Sequence, residues 1–355
     1  MKKFLTLLVI GIYLPFMIGC EVDDNINNGD GTDNNQTDVT TPLPTPSDYD
    51  LYLKELNEIV NVEKYKIFER YGDFTEELER YLYFGNYPGR EITNQELVDN
   101  LSTINTTNEF GYIEFENLQF IKVTIENTYD SLEIGDQAFE NSTKYKIGTT
   151  HYFLVEPILW RVLTFNPETK QAFLLSNNIL DAQMYVNEIN ERFIDGRVIY
   201  PSNYEYSDVR NWCNNIFFNQ AFNETEKENV ILKTINNLYT HYNNNKVYDR
   251  NTEDYVYIPS FKEITNSVYG FEKTGIFSYS RFSTPSDYAS AKGVYTSNLE
   301  KEIPSSGLYL LRTGPEFVRS FSFFVKFDGY ALNPYYVNSP STGVRLCLNV
   351  TIDAE

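Results

Sequence analysis

The chain has 355 residues, 29 of them basic and 50 acidic, giving a formal net charge of −21 at pH 7. So much negative charge repels nucleic acid and anionic lipid head groups and argues against a nucleic-acid partner. Aromatic residues make up 16% of the chain, with 29 Tyr and 25 Phe, which excludes a disordered polymer.

Lys2 and Lys3 precede an apolar run over residues 4–18, followed by Gly19 and Cys20. This is the layout of a secretory signal. The stretch Met17-Ile18-Gly19-Cys20 resembles a bacterial lipoprotein signal, with Met17 standing where Leu is usual. The resemblance implies a signal peptide over residues 1–19, lipid attachment at Cys20, and an extracytoplasmic protein held at the cell membrane or cell surface. The alternative is an uncleaved anchor helix. The run contains Pro15 and is shorter than the roughly 20 residues that span a bilayer.

Residues 20–46 are rich in Asp, Asn, Thr and Gly and end in alternating prolines. Such a segment cannot bury a core, and its composition predicts a disordered tether reaching roughly 30 Å. Residues 47–79 are expected to form a helical neck. Ser47 or Asp48 caps it, Leu51, Leu56, Ile59 and Val60 share a face, and a second helical stretch is expected over residues 62–71.

From Tyr81 the pattern changes. Residues 81–88 predict a strand closed by a turn, residues 94–104 a helix, and residues 112–125 a hairpin turning at Glu116-Asn117. Residues 151–165 and 171–176 predict strands joined by a turn at 166–169. A helix is expected over residues 207–218, with Val209, Trp212, Cys213, Ile216 and Phe217 as its apolar stripe. Asn223 with Glu226, and Ser260 with Glu263, have capping-box spacing and predict further helix starts. Pro285 opens another short helix, which Gly293 ends. Near the C-terminus, Leu308 to Leu311 are apolar. Phe321, Phe323, Val325 and Phe327 alternate towards Asp328-Gly329, a strong short hairpin signal. Residues 344–350 return as a strand. Strands at both ends enclosing a helical middle predict one α+β domain over residues 80–352.

The segments YLYFGNYP (81–88), HYFLVEPILWRVL (151–163), DVRNWCNNIFFNQAF (208–222), GLYLLRTG (307–314), the Asp328-Gly329 turn and GVRLCLNV (343–350) occur in the order of a known family. They resemble a bacterial domain family of unknown function, found mostly in exported proteins and related to the formylglycine-generating (sulfatase-modifying) enzymes. The resemblance spans residues 80–352 and implies a single C-type-lectin-like domain of twisted antiparallel sheets, short helices and long loops. The chain departs from the family at Tyr309-Leu310-Leu311-Arg312, where a Trp-Trp-Leu-Arg pattern is usual, and at Cys213 and Leu346-Cys347. The paired active-site cysteines of the sulfatase-modifying enzymes have no counterpart here, because Cys213 falls in a predicted helix and Cys347 in the terminal strand. Their oxidative chemistry is not carried over. Both cysteines sit in apolar surroundings and are expected to be buried free thiols, with a disulfide as the alternative.

Few residues offer themselves for catalysis. There are two histidines: His151 begins a strand and His241 lies in a polar loop, so no Ser-His-Asp or Cys-His arrangement stands out. Neither a zinc ligand set nor a phosphate loop is present in the sequence. Lectin-like folds often bind calcium through loop oxygens, and Asp249, Asn251, Glu253 and Asp254 alternate in one loop, so calcium is the single cofactor kept in view. Arg161, Arg312 and Arg345 each follow an apolar residue and are expected to reach buried carboxylates or carbonyls. The functional alternative is a groove in which Tyr309, Arg312 and Asp328 bind a ligand. Trp160 and Trp212 are expected in the core.

The expectation is therefore a non-enzymatic, membrane-anchored surface lipoprotein whose domain binds a glycan or protein ligand. The rivals are a hydrolase of envelope polysaccharide using paired carboxylates and a structural partner of another exported protein.

Overall fold

In a computed structural model, residues 46–126, 139, 146–237, 249–296, 306–315 and 318–352 are described. Cys20, the signal-like segment, the tether up to residue 45 and His241 lie outside them. Residues 46–355 form one compact unit. Among the described residues no helix is long and apolar enough to cross a membrane. The fold is mixed α+β, mostly sheet with short helices.

Its spine is the strand Thr150–Asn166. Leu78–Glu91 runs antiparallel along one side, from Tyr81 opposite Arg161 to Glu91 opposite Phe153. On the other side, the hairpin Tyr112–Phe115 and Leu118–Thr124 covers the first half, and Gln171–Ser176 covers the second. Cys347–Thr351 and Val256–Tyr257 extend the sheet at one edge and Phe68–Tyr71 at the other, giving eight strands among the described residues. The spine is apolar on both faces, as a strand covered on both sides must be. Pro88 and Pro157 cannot donate to the ladder, and the register shifts between Tyr83 and Asn86 and again between Pro88 and Glu91. A second, five-stranded sheet is ordered Asn333–Tyr336, Phe321–Val325, Tyr309–Leu310, Gly343–Val344 and Asp181–Ala182.

The largest core cluster lies against the main sheet around Phe84, Trp160, Leu174, Phe217 and Leu348. Trp160 is fully buried and donates its Nε1–H to the Phe84 carbonyl at 2.8 Å. Trp212 is also buried in this cluster. The thiols of Cys213 and Cys347 are free and fully buried. All three arginines singled out in the sequence are buried and reach a carboxylate or a carbonyl. Arg161 pairs with Glu79 at 3.0 Å, Arg312 pairs with Glu263, and the Arg345 Nε donates to the Ser176 carbonyl at 2.8 Å.

Several local expectations are corrected by tertiary structure. The neck is helical only over Asp48–Val60, where Ser47 and Asp50 form a capping box. This helix packs Leu56 against Leu97, Leu101, Phe120 and Leu154, so it belongs to the folded domain. Residues 62–71 are not helical. Phe68–Tyr71 is an edge strand, because Phe68 stacks on Tyr81 and Tyr83 across the ladder. The helix at 208–221 widens to a π-helix over Trp212–Phe217. The widening breaks the 3.6 period. Ile216, expected on the apolar stripe, turns outward at 50% exposure while Phe217 and Phe218 go inside.

Asp328-Gly329 does reverse the chain, but as the tip of a wider loop, since pairing resumes only at Phe324 opposite Asn333. Gly329 has φ +71°, and a Cβ there would collide with the Ser278 carbonyl oxygen. Its own carbonyl accepts from the buried Arg281 Nε at 2.8 Å. Gly329→Ala is therefore expected to cost roughly 1–3 kcal/mol from backbone strain alone, with the collision adding to it. Denaturant unfolding will measure this, and an unchanged midpoint would refute it.

Candidate functional site

A cleft of about 500 Å³ opens at one edge of the main sheet. Its floor is aromatic. The Phe173 ring stacks on Tyr257 at 6.4 Å and meets Tyr269 edge-on at 5.2 Å. Phe173 and Tyr257 are brought together by the terminal strand, which pairs Cys347 with Tyr257 on one side and Asn349 with Phe173 on the other. Asn349 Nδ2 donates to the Tyr257 hydroxyl at 3.1 Å.

Arg312 leaves the second sheet and enters this cleft. Its guanidinium lies 5.2 Å from the Tyr257 ring centre and donates to both oxygens of Glu263, at 2.7 and 2.9 Å, and to the Ile258 carbonyl at 2.8 Å. Glu263 also accepts from the Ser260 amide and hydroxyl at 2.7 and 2.9 Å. The Ser260–Glu263 spacing predicted a helix start. The box forms here, but over a turn, and its carboxylate serves to hold Arg312. Desolvation pushes the Glu263 carboxyl up, yet Arg312 and these hydrogen bonds outweigh it and hold the carboxyl below its usual value. Desolvation likewise disfavours the Arg312 charge, but Glu263 more than offsets it and raises the guanidinium further. The pair is ionised.

The opposite wall holds Asp249, which accepts from the Asn203 side chain at 2.5 Å and the Tyr204 amide at 2.8 Å. Burial pushes its carboxyl up to about 7 against these hydrogen bonds. Beside it, Arg319 lies 3.9 Å from the Tyr200 ring centre. The short hairpin Lys233–Ile235 with Thr252–Asp254 contributes Lys233 and Asn236, and the turn after Pro259 contributes Lys262 and Asn266. Both lysines are exposed, and neither has an ion-pair partner among the described residues. Two buried polar atoms of the lining, Asn237 Oδ1 and Arg312 Nε, have no hydrogen-bond partner among the described residues.

Of the three residues proposed from sequence as ligand contacts, only Arg312 lines this cleft. Tyr309 is fully buried in the second sheet, where its hydroxyl donates to the Arg281 carbonyl at 2.8 Å. Asp328 is half-buried and accepts from the Tyr330 amide within its own turn. The acidic loop suggested for calcium does not converge. Asp249 faces Asn203, and Asp254 accepts from Arg210 at 2.7 Å and from Thr252 at 2.6 Å. Among the described residues no group of three or more His, Cys, Asp or Glu is gathered so as to hold a metal ion.

A second hollow of about 570 Å³ lies under the first helix and carries Glu91, Glu156 and Asp287. Each carboxylate is engaged. Glu91 meets His151 Nδ1 at 2.5 Å, Glu156 accepts from Arg90 at 2.6 and 3.0 Å, and Asp287 accepts from the Glu91 amide at 2.9 Å.

Sequence reasoning missed Lys233, Lys262, Asn203, Tyr200, Tyr269 and Arg319. They come from separate segments with no common spacing, so only the fold brings them together. No curated protein and no solved structure matches the chain. Residues 169–352 match the model of a domain of unknown function, DUF6273. The matched stretch contains every lining residue of the first cleft except Thr164, whereas most of the second hollow lies before it. The cleft at the sheet edge is thus a feature of the domain itself, and the chain belongs to the DUF6273 family.

Proposed function

We propose that this chain is a lipid-anchored extracytoplasmic protein whose domain, of C-type-lectin-like architecture, binds a saccharide in the first cleft without acting on it chemically. The observation that carries this reading is the lining. Tyr200 and Tyr269 offer partly exposed aromatic surface beside the buried Phe173 and Tyr257, and Asn236, Asn266 and Asn349 bring side-chain amides, around about 500 Å³. Sugars pair apolar ring faces with dense hydroxyls, and an aromatic floor with convergent amides suits both.

Two carboxylates held in opposite states within one cleft favour a second reading. Asp249 is pushed up to about 7 and Glu263 is held low, a separation that acid-base hydrolysis uses. Against hydrolysis, both Glu263 oxygens are committed to Arg312.

A glycan array probed with the full-length chain, with calcium and with chelator, tests the reading. Saturable binding to a defined glycan supports it, and loss of binding with chelator would add a metal to the site. Glycan turnover abolished by Asp249→Asn would replace it with the hydrolase. The anchor is tested by Cys20→Ala, which should move the protein from the membrane fraction to the soluble fraction. Retention in the membrane would refute lipidation.

A further inference from the structure

We infer that the fold binds a single small monovalent anion of the halide class, of which chloride is the common one, in a cavity between Arg161 and Arg345. The cavity measures about 20 Å³, and its walls include both arginines with Asp73, Glu79, Tyr81 and Asn177. It shares no lining residue with the first cleft, so the inference stands whatever that cleft binds.

Three guanidiniums are buried in this part of the domain: Arg161 at 7% exposure, Arg281 at 0% and Arg345 at 2%. Burial lowers the Arg161 guanidinium from its usual value, Glu79 opposes this, and the nearby Arg345 charge adds to it. Burial raises the Tyr309 hydroxyl, and the charges of Arg345 and Arg281 oppose it. The three cations therefore share one region. A guanidinium stays protonated in a protein, and a buried charge needs a partner. Arg281 is caged by carbonyls: its Nε donates to Gly329 at 2.8 Å, its Nη1 to Glu272 at 3.1 Å and its Nη2 to Ile276. Arg161 pairs with Glu79 at 3.0 Å, while its contacts to the Ser280 and Tyr269 carbonyls are stretched to 3.3 and 3.5 Å. Arg345 is the least provided for. Its Nε donates to the Ser176 carbonyl and its guanidinium lies 5.4 Å from the Tyr309 ring centre, but its Nη1 has no hydrogen-bond partner among the described residues.

The acids nearby are already engaged. Glu79 accepts from Tyr81 at 2.6 Å and Thr75 at 3.2 Å as well as from Arg161. Asp73 pairs with Arg70 at 2.9 Å and accepts from Asn177 at 2.8 Å. Glu272, whose charge acts on Arg281, is exposed. Around the cavity, Arg70, Arg161 and Arg345 thus face only Asp73 and Glu79, a surplus of one positive charge. The chain carries 50 acids against 29 bases, so this interior surplus does not come from a shortage of carboxylates. A space of about 20 Å³ admits one particle the size of a water and excludes phosphate, sulfate and carboxylic acids. Water would fill the space and leave the charge uncompensated, whereas a halide does both.

Thermal unfolding of the full-length chain in detergent is followed as sodium gluconate is exchanged for sodium chloride at constant ionic strength, gluconate being too large for the cavity. Chloride should raise the melting temperature progressively, by about 3 °C at some tens of times its dissociation constant. Arg345→Gln should melt lower and lose that chloride-specific rise, while any general effect of salt remains. No rise in the native chain, or a rise that survives Arg345→Gln, would overturn the inference. Bromide soaked into crystals of the native chain gives a readout that does not need the variant to fold. An anomalous scattering peak between Arg161 and Arg345 is expected, and a cavity holding water alone would overturn the assignment.

Discussion

Arg312→Ala should destabilise the domain by about 3–5 kcal/mol, the range observed when one partner of a buried ion pair is removed. For a domain this large the melting temperature would fall by roughly 5–10 °C. Without the guanidinium, the Glu263 carboxylate keeps only the Ser260 amide and hydroxyl, and the Ile258 carbonyl loses its side-chain donor. The loss should depend on pH with a definite sign. In the native chain the Glu263 carboxyl is held below its usual value, so it contributes stability above the unfolded value of 4.5 that is lost as pH falls through the folded one. In the variant the desolvated carboxyl rises instead. The gap between the two proteins should therefore widen from pH 4 to pH 7. A double-mutant cycle with Glu263→Ala should show strong coupling, with the double variant losing less than the sum of the single losses. Additive losses would mean that the pair is not the unit described.

The second large effect concerns Asp249. Its folded carboxyl is pushed up to about 7 from 3.8. Between those values the native state holds a proton that the unfolded chain has released. Its contribution is complete below pH 3.8 and is lost as pH rises through 7. At about 1.4 kcal/mol per unit the span is of order 4 kcal/mol. Burial also raises Asp181 and Glu156, which slope the same way, and Glu263 slopes the other way. Asp249 must therefore be isolated by difference. Asp249→Asn removes the titrating group and keeps an acceptor for the Tyr204 amide. Urea unfolding of both proteins at pH 5, 6, 7 and 8 should show the native chain losing stability relative to the variant as pH rises. Parallel profiles would overturn the assignment.

Local patterns in the sequence carried much of the fold. The Glu116-Asn117 hairpin, the long central strand and the Asn223–Glu226 capping box all form as their short-range signals predict. The failures occur where distant residues compete. The same capping spacing at Ser260–Glu263 forms its box but only a turn follows, and the carboxylate also holds Arg312 from later in the chain. Residues 62–71 have helical composition, but Tyr81 and Tyr83 draw Phe68 into a ladder. Ile216 left its stripe because one widened turn shifts the period. The family match covers residues 169–352, within the span of 80–352 read from the sequence. The cleft was the least legible part. Arg312 was found because it sits beside an apolar strand, but the lysines and amides around it carry no mutual spacing. Tyr309 is directed into the second sheet and Asp328 into its own turn.

The two buried thiols have a practical consequence. Burial pushes both Cys213 and Cys347 well above the usual thiol range, so neither presents a thiolate to a reagent while the domain is closed. One lies in the π-widened helix and the other in the terminal strand, and both belong to the main core cluster. A maleimide added in excess would therefore react only when that cluster opens, and its labelling rate would time the opening. Mass spectrometry resolves the two sites, so unequal rates would reveal whether the helix leaves before the strand, without introducing a probe into the chain.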